Sequence, residues 1–170
     1  PIDAMQLLLM RRTDHALLAE PAISMALRKA SEGPLGLVAP DLYRSVDLQQ
    51  EWGRLLQREA RIPQAGIALM ASVKDQPQIA ARIAQAYADS LQWCSANAER
   101  CGQLVATHLP MLSAEAVTDS LAVAQMEAVP AAEARAEVEY LFELLLQKNP
   151  ALIGGKLPAD DFYSPVSDQR

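Results

Sequence analysis

The stretch Asp14-His15-Ala16-Leu17-Leu18-Ala19-Glu20-Pro21 decides how the rest of the chain is read. After Asp14, residues His15–Ala19 read as one continuous apolar run, the pattern of a strand buried on both faces. Pro21 follows and can stand in the first turn of a helix predicted over Ala22–Lys29. A strand that feeds directly into a helix is the repeating unit of an open α/β sheet. In such sheets, ligands bind in the crevice outside the carboxyl ends of the strands. Glu20 lies at that end and is a candidate ligand-binding carboxylate, suited to an amine, a heterocycle N–H or hydroxyls. Ser24, in the first turn of the helix, adds a hydroxyl. The same position lets Glu20 neutralise the positive end of the helix, and the sequence leaves both roles open.

Working outward, the chain divides near Ser72. Before it, short helical patterns alternate with short apolar runs. Ile2–Arg12 is predicted helical, with Ile2, Met5, Leu8 and Leu9 on one face, and Gln49–Arg61 is predicted helical too. Leu35–Ala39 and Gln64–Ser72 are the second and third candidate strands, with a turn at Ser31-Glu32-Gly33-Pro34. Beyond Ser72 the pattern is almost wholly helical. Pro77–Ser95 carries Ile79, Ile83, Tyr87 and Leu91 at steps of four, one apolar face. A helix over Ala98–Leu109 stops at Pro110, and Ser113 is the N-cap of the next, which is expected to run through Glu127. Ala131–Lys148 is the longest, with Val138, Leu141, Phe142 and Leu145 as its stripe, and Asn149-Pro150 ends it. Two or three parallel-type strands do not make a comfortable sheet alone, so the reading is that strands are missing on the N-terminal side.

Composition sets the limits. The chain has 170 residues, 51% apolar and 21% charged, which excludes a disordered or fibrous protein. Aromatics are only 5%, so a core must come from aliphatic residues and Met. The net charge is −6, and no stripe of Lys and Arg offers itself to a phosphate backbone, so nucleic acid is not an expected partner. No run approaches the roughly 18 consecutive apolar residues of a membrane span.

Groups that could do chemistry are sparse. No phosphate-cradling glycine loop, nucleophile elbow, H-E-x-x-H or C-x-x-C is present, and no cofactor or metal is expected. Asp160-Asp161 are neighbours that point apart, not a dyad. His15 reads as a structural histidine at the head of a buried strand, and His108 as a residue placed by the dipole at a helix C-terminus. Cys94 and Cys101 are seven residues apart, which on one straight helix separates them by about 10 Å, too far for a disulfide. Two free thiols are the favoured reading. A helix break at Asn97 would instead let the sulfurs meet.

Four segments, in order, resemble a known family. The run Asp14–Pro21 resembles the "DAxxxxEP" strand of ABC-transporter solute-binding proteins of the nitrate/sulfonate/taurine (NMT1/THI5-like) type. Arg61-Ile62-Pro63-Gln64-Ala65-Gly66-Ile67 resembles the strand that re-enters the first lobe after the hinge. Tyr87 to Trp93, followed by Asn97, resembles a helix end of the family, with Ala98 in place of the usual Pro. Ile153-Gly154-Gly155-Lys156-Leu157-Pro158, with Asp161-Phe162-Tyr163, resembles its ending.

The resemblance implies an α/β fold, the C-terminal half of a two-lobed type II periplasmic-binding-protein fold, helix-rich after residue 72. Residues 1–62 would complete the second lobe, and 63–170 would return to the first. It implies capture of a small polar solute between the lobes and delivery to ABC permease subunits, in a periplasmic or membrane-anchored extracytoplasmic setting. Glu20, Ser24 and Gln64 are the implied ligand-binding residues, and Arg61 and Gly66 the implied hinge. The missing N-terminal half, or a swapped copy of the chain, is the expected partner. The competing readings are a thiamine-pyrimidine-precursor synthase-like enzyme, for which two cysteines are too few, and a helical interaction module built from the helices after Ser72.

Overall fold

The computed structural model of the chain describes residues 2–32, 40–70, 73, 76–124 and 126–163. Seven α-helices are described: α1 Ile2–Leu9, α2 Ala22–Ser31, α3 Leu48–Leu56, α4 Pro77–Ala96, α5 Ala98–His108, α6 Ala114–Val123 and α7 Ala131–Lys148. Two 3₁₀ turns, Pro150–Ile153 and Asp160–Tyr163, follow. Among the described residues there is no strand and no sheet. The expected α/β fold, and with it the half of a two-lobed periplasmic-binding-protein fold, is therefore corrected to an all-helical architecture.

The reason is local. A helix closes each N–H onto a carbonyl four residues back, whereas a strand needs a second segment beside it. Among the described residues no neighbouring strand is supplied at His15–Ala19. Leu18 packs against the helical core while Leu17 is 78% exposed. His15 is exposed instead of buried, its Nδ1 2.6 Å from the Asp14 carbonyl oxygen. Gln64–Met70 is exposed along its whole length, with no regular structure. The second candidate strand, Leu35–Ala39, lies outside the described residues.

The helices follow their sequence signals closely. Ser113 caps α6, its Oγ accepting from the Ala116 N–H at 3.2 Å. Asp47 caps α3 by accepting from the N–H groups of Gln49 and Gln50 at 2.9 and 3.3 Å. That helix stops at Leu56, short of the expected Arg61, because Gln57 turns left-handed at φ 52°. Asn149 ends α7 and caps the turn behind it, accepting from Ala151 N–H at 3.1 Å.

The chain forms two compact units, residues 1–45 with 89–126, and residues 46–88 with 127–170. In the first, α1 packs on α2, α2 on α6, and α5 on α6. Met5, Met25, Ala26 and Ala116 form the buried cluster, with Leu9, Leu18, Leu42 and Leu112 around it. The α5–α6 crossing is close because Gly102 has no side chain: a Cβ there would sit 2.3 Å from the Ala114 carbonyl oxygen and 2.6 Å from Thr118 Oγ1. Cys94 and Cys101 are joined, Cα to Cα 5.1 Å. The straight-helix premise fails because the chain breaks at Asn97, placing one cysteine on α4 and the other on α5. The favoured reading of two free thiols is thus corrected.

In the second unit α7 packs on both 3₁₀ turns. Arg58 lies over the Tyr140 ring at 4.0 Å and pairs with Glu137 at 2.8 Å, while Trp52 meets Tyr140 edge-on at 5.9 Å. Arg135 stacks on Tyr163 at 4.8 Å and pairs with Glu139 and Asp160. Burial holds the Tyr163 phenol above its ordinary value. The α7 stripe Val138, Leu141, Phe142 and Leu145 is only half-buried.

The two glycines give a paired test. Gly102→Ala should lower unfolding free energy by roughly 1–3 kcal/mol, because backbone at the crossing must move to admit the methyl group. Gly66→Ala, where an added Cβ meets nothing within 4 Å, should be neutral. Urea denaturation of both variants checks this; equal midpoints would show that the crossing does not depend on Gly102.

Candidate functional site

The site grows from the same stretch that opened the sequence. Pro21 occupies the N-cap of α2, after a cis peptide bond from Glu20. Proline has no side-chain acceptor, so α2 begins without an ordinary cap. Glu20, one residue earlier, fills the role: its Oε2 accepts from the Ser24 N–H at 3.1 Å. Its other oxygen accepts from Arg44 Nη2 at 2.5 Å. The same Nη2 donates to Ser24 Oγ at 3.0 Å. Ser24 is buried, at 1% exposure. The capping carboxylate, the buried hydroxyl and the guanidinium thus form one connected group.

A second pair lies beside it. Asp119 on α6 accepts from Arg28 on α2 through both oxygens, Nε at 2.5 Å and Nη2 at 2.9 Å, a bidentate arrangement. This hydrogen bonding holds the Asp119 carboxyl below its ordinary value, and the charge of Arg44 acts in the same direction. It raises Arg28 above its ordinary value. Glu32 touches the outer side of Arg28 at 3.2 Å.

Between the two pairs is a cleft of about 270 Å³ lined by Ser24, Leu27, Arg44, Asp119, Ala122 and Val123. Its polar groups come from α2, α6 and the segment before α3, and its apolar wall from Leu27, Ala122 and Val123. Glu20–Arg44 and Asp119–Arg28 each sum to zero charge. Arg44 Nε and Nη1 make no hydrogen bond among the described residues. Arg44 is one of the residues that line the cleft.

Of the sequence-derived site residues, Glu20 and Ser24 are brought together here. Arg61, Gln64 and Gly66 belong to the other compact unit. There Arg61 pairs with Glu59 at 3.3 Å and with Glu127, and the charge of Glu127 raises it above its ordinary value. Gln64 and Gly66 are exposed. Of the two roles left open for Glu20, the helix-end role is the one seen: its carboxylate caps α2, and its other oxygen is taken by Arg44.

Sequence reading missed Arg44, Arg28 and Asp119. Leu42–Leu48 carries no clear period, and Arg28 and Asp119 are 91 residues apart, so only the α2–α6 packing joins them. Among the described residues no group of three His, Cys, Asp or Glu side chains could hold a metal ion, and no described helix is long and apolar enough to cross a membrane. No family model, no curated protein and no solved structure matches the chain.

The depressed Asp119 titration has a signed consequence. A carboxylate whose folded value lies below its unfolded one adds stability above the unfolded value, and loses it as pH falls through the folded value. Asp119→Asn should therefore lower the thermal midpoint at pH 7. The deficit should shrink as pH falls below the ordinary carboxyl value of 3.8. Melting curves from pH 7 to pH 2.5 read this directly, and a deficit that stays constant across that range would rule the pair out as the cause.

Proposed function

We propose that the chain is a solute-binding component of an ABC import system, and that it takes a small polar molecule in the cleft beside Arg44. The observation that carries this is Arg44 itself. Glu20 and Ser24 hold Nη2 of its guanidinium, two of its nitrogens have no hydrogen bond among the described residues, and the residue lines a cleft with an apolar wall. A cleft of about 270 Å³ suits a small solute and not a nucleotide or a peptide. The paired state of Glu20 and Asp119 supports capture over catalysis, since neither carboxylate stands ready as a free base. The ABC import part of the reading rests on the four resembling segments of the sequence alone, two of which form no strand here.

ABC permease subunits are the partners this reading implies. The Cys94–Cys101 disulfide supports an extracytoplasmic setting, where such bonds persist. In this proposal Arg44 contacts the solute, Glu20 positions Arg44, and Ser24 fixes both from behind.

One observation favours a second reading, a helical interaction module: large apolar side chains such as Leu104, Leu109 and Met111 are exposed at 49%, 51% and 65%. The buried cluster, however, takes Met5, Met25 and Ala26 from before residue 72. The later helices therefore share that cluster with residues before 72.

Titration calorimetry with acetate, methylammonium, glycine and glycerol, one probe for each charge class, tests the main proposal. Acetate, glycine or glycerol, each with an oxygen acceptor, should bind and methylammonium should not, and Arg44→Gln should weaken that binding about 10- to 100-fold, the loss of one charged hydrogen bond. If all four probes give no heat, or if Arg44→Gln binds as the parent does, the cleft is not a solute site.

A further inference from the structure

The charges around the cleft alternate in sign. Glu20 holds Arg44 at 2.5 Å, and Arg28 holds Asp119 through both carboxylate oxygens at 2.5 and 2.9 Å. Of each pair, one member is among the described residues that line the cleft: Arg44 from the first and Asp119 from the second. These two are also the more exposed of each pair, at 40% against 18% for Glu20 and 41% against 34% for Arg28. The described lining therefore carries one cation and one anion, each backed by a group of opposite sign. The two lie within electrostatic reach of each other, since the charge of Arg44 helps to hold the Asp119 carboxyl below its ordinary value.

Backing fixes these charges without using them up. Nη2 of Arg44 is taken by Glu20 and Ser24, while Nε and Nη1 make no hydrogen bond among the described residues. An ionised carboxylate has about four lone-pair sites, and Arg28 takes one on each Asp119 oxygen. An ion of a single sign is drawn to one of these two groups and repelled by the other. A molecule that carries both signs gains at both. The rest of the wall, Leu27, Ala122 and Val123, is aliphatic. A cleft of about 270 Å³ is also smaller than the roughly 300–1,000 Å³ of sites that hold drug-sized ligands.

We propose that the solute taken by this cleft is a small zwitterion, an amino acid with a short aliphatic side chain. Its carboxylate meets Arg44, its ammonium meets Asp119, and its side chain lies along Leu27, Ala122 and Val123. Resting on the solute-site reading of the cleft, this gives Asp119 a role of its own: it tells an amino acid from the acid that lacks the amine.

Titration calorimetry on the full chain at pH 7 compares three molecules of nearly one shape. They are L-valine, 2-hydroxy-3-methylbutyrate, with a hydroxyl in place of the ammonium, and 3-methylbutyrate, with neither. L-valine should bind at least about tenfold more tightly than either acid, because only its ammonium makes a doubly charged hydrogen bond to a carboxylate. Asp119→Asn should bring the ratio of the valine and 3-methylbutyrate affinities below about threefold. That variant also loses an ion pair of the fold, so it is measured at a temperature where its circular dichroism matches the parent's. Should it not fold at any temperature, the three ligands on the parent chain decide alone. A smaller preference for valine on the parent, or one that survives in folded Asp119→Asn, would overturn the zwitterion and leave the solute site in place. Silence from all three ligands would overturn it too, and if acetate, glycine and glycerol are also silent, the solute site falls with it.

Discussion

The packing of α2 on α6 is the interaction on which the first unit depends. Met25 and Ala26 from one helix and Ala116 from the other close over Met5, and these are among the few fully buried apolar residues described. The same contact brings Arg28 to Asp119 and so makes one wall of the cleft. Burial at the crossing and ion pairing at its rim are two consequences of one helix orientation. Glu20 is the second fixed point. By capping α2 where Pro21 offers no acceptor, it sets the start of that helix and the place of Arg44 together.

Helices were legible in the sequence because their determinants are close along the chain. Ser113, Asn149 and the steps of four through Val138 and Leu145 each announce an element within a few residues. What failed was the step from apolar run to strand. His15–Ala19 and Gln64–Ser72 have the composition of buried strands, yet composition says nothing about whether a neighbouring strand is available. Strand pairing is a property of two segments, and reading one segment cannot supply the other. The disulfide failed for a related reason: the distance between Cys94 and Cys101 depends on a break at Asn97, and a straight-helix estimate assumes that break away.

The cleft was half legible. Glu20 and Ser24 follow from the strand-end and helix-start logic, and they retain their place although the strand is not formed, because the helix that organises them is local. Arg44 lies in a stretch without period, and Asp119 is visible only through the tertiary contact. A carboxylate that caps a helix and one that meets a ligand look alike in a sequence; here Glu20 caps α2 and pairs with Arg44.

Among the described residues, helices alone carry the fold, and His15–Leu18 and Gln64–Leu69 are paired to no neighbouring strand. Amide hydrogen exchange of the isolated protein, followed by mass spectrometry, measures this most directly. The account predicts slow exchange in α2, α5 and α6, and fast exchange, close to that of an unstructured peptide, across Ala16–Leu18 and Gln64–Leu69. Protection of those two runs comparable to that of α6 would mean that they are hydrogen-bonded in a sheet, and the account would be wrong.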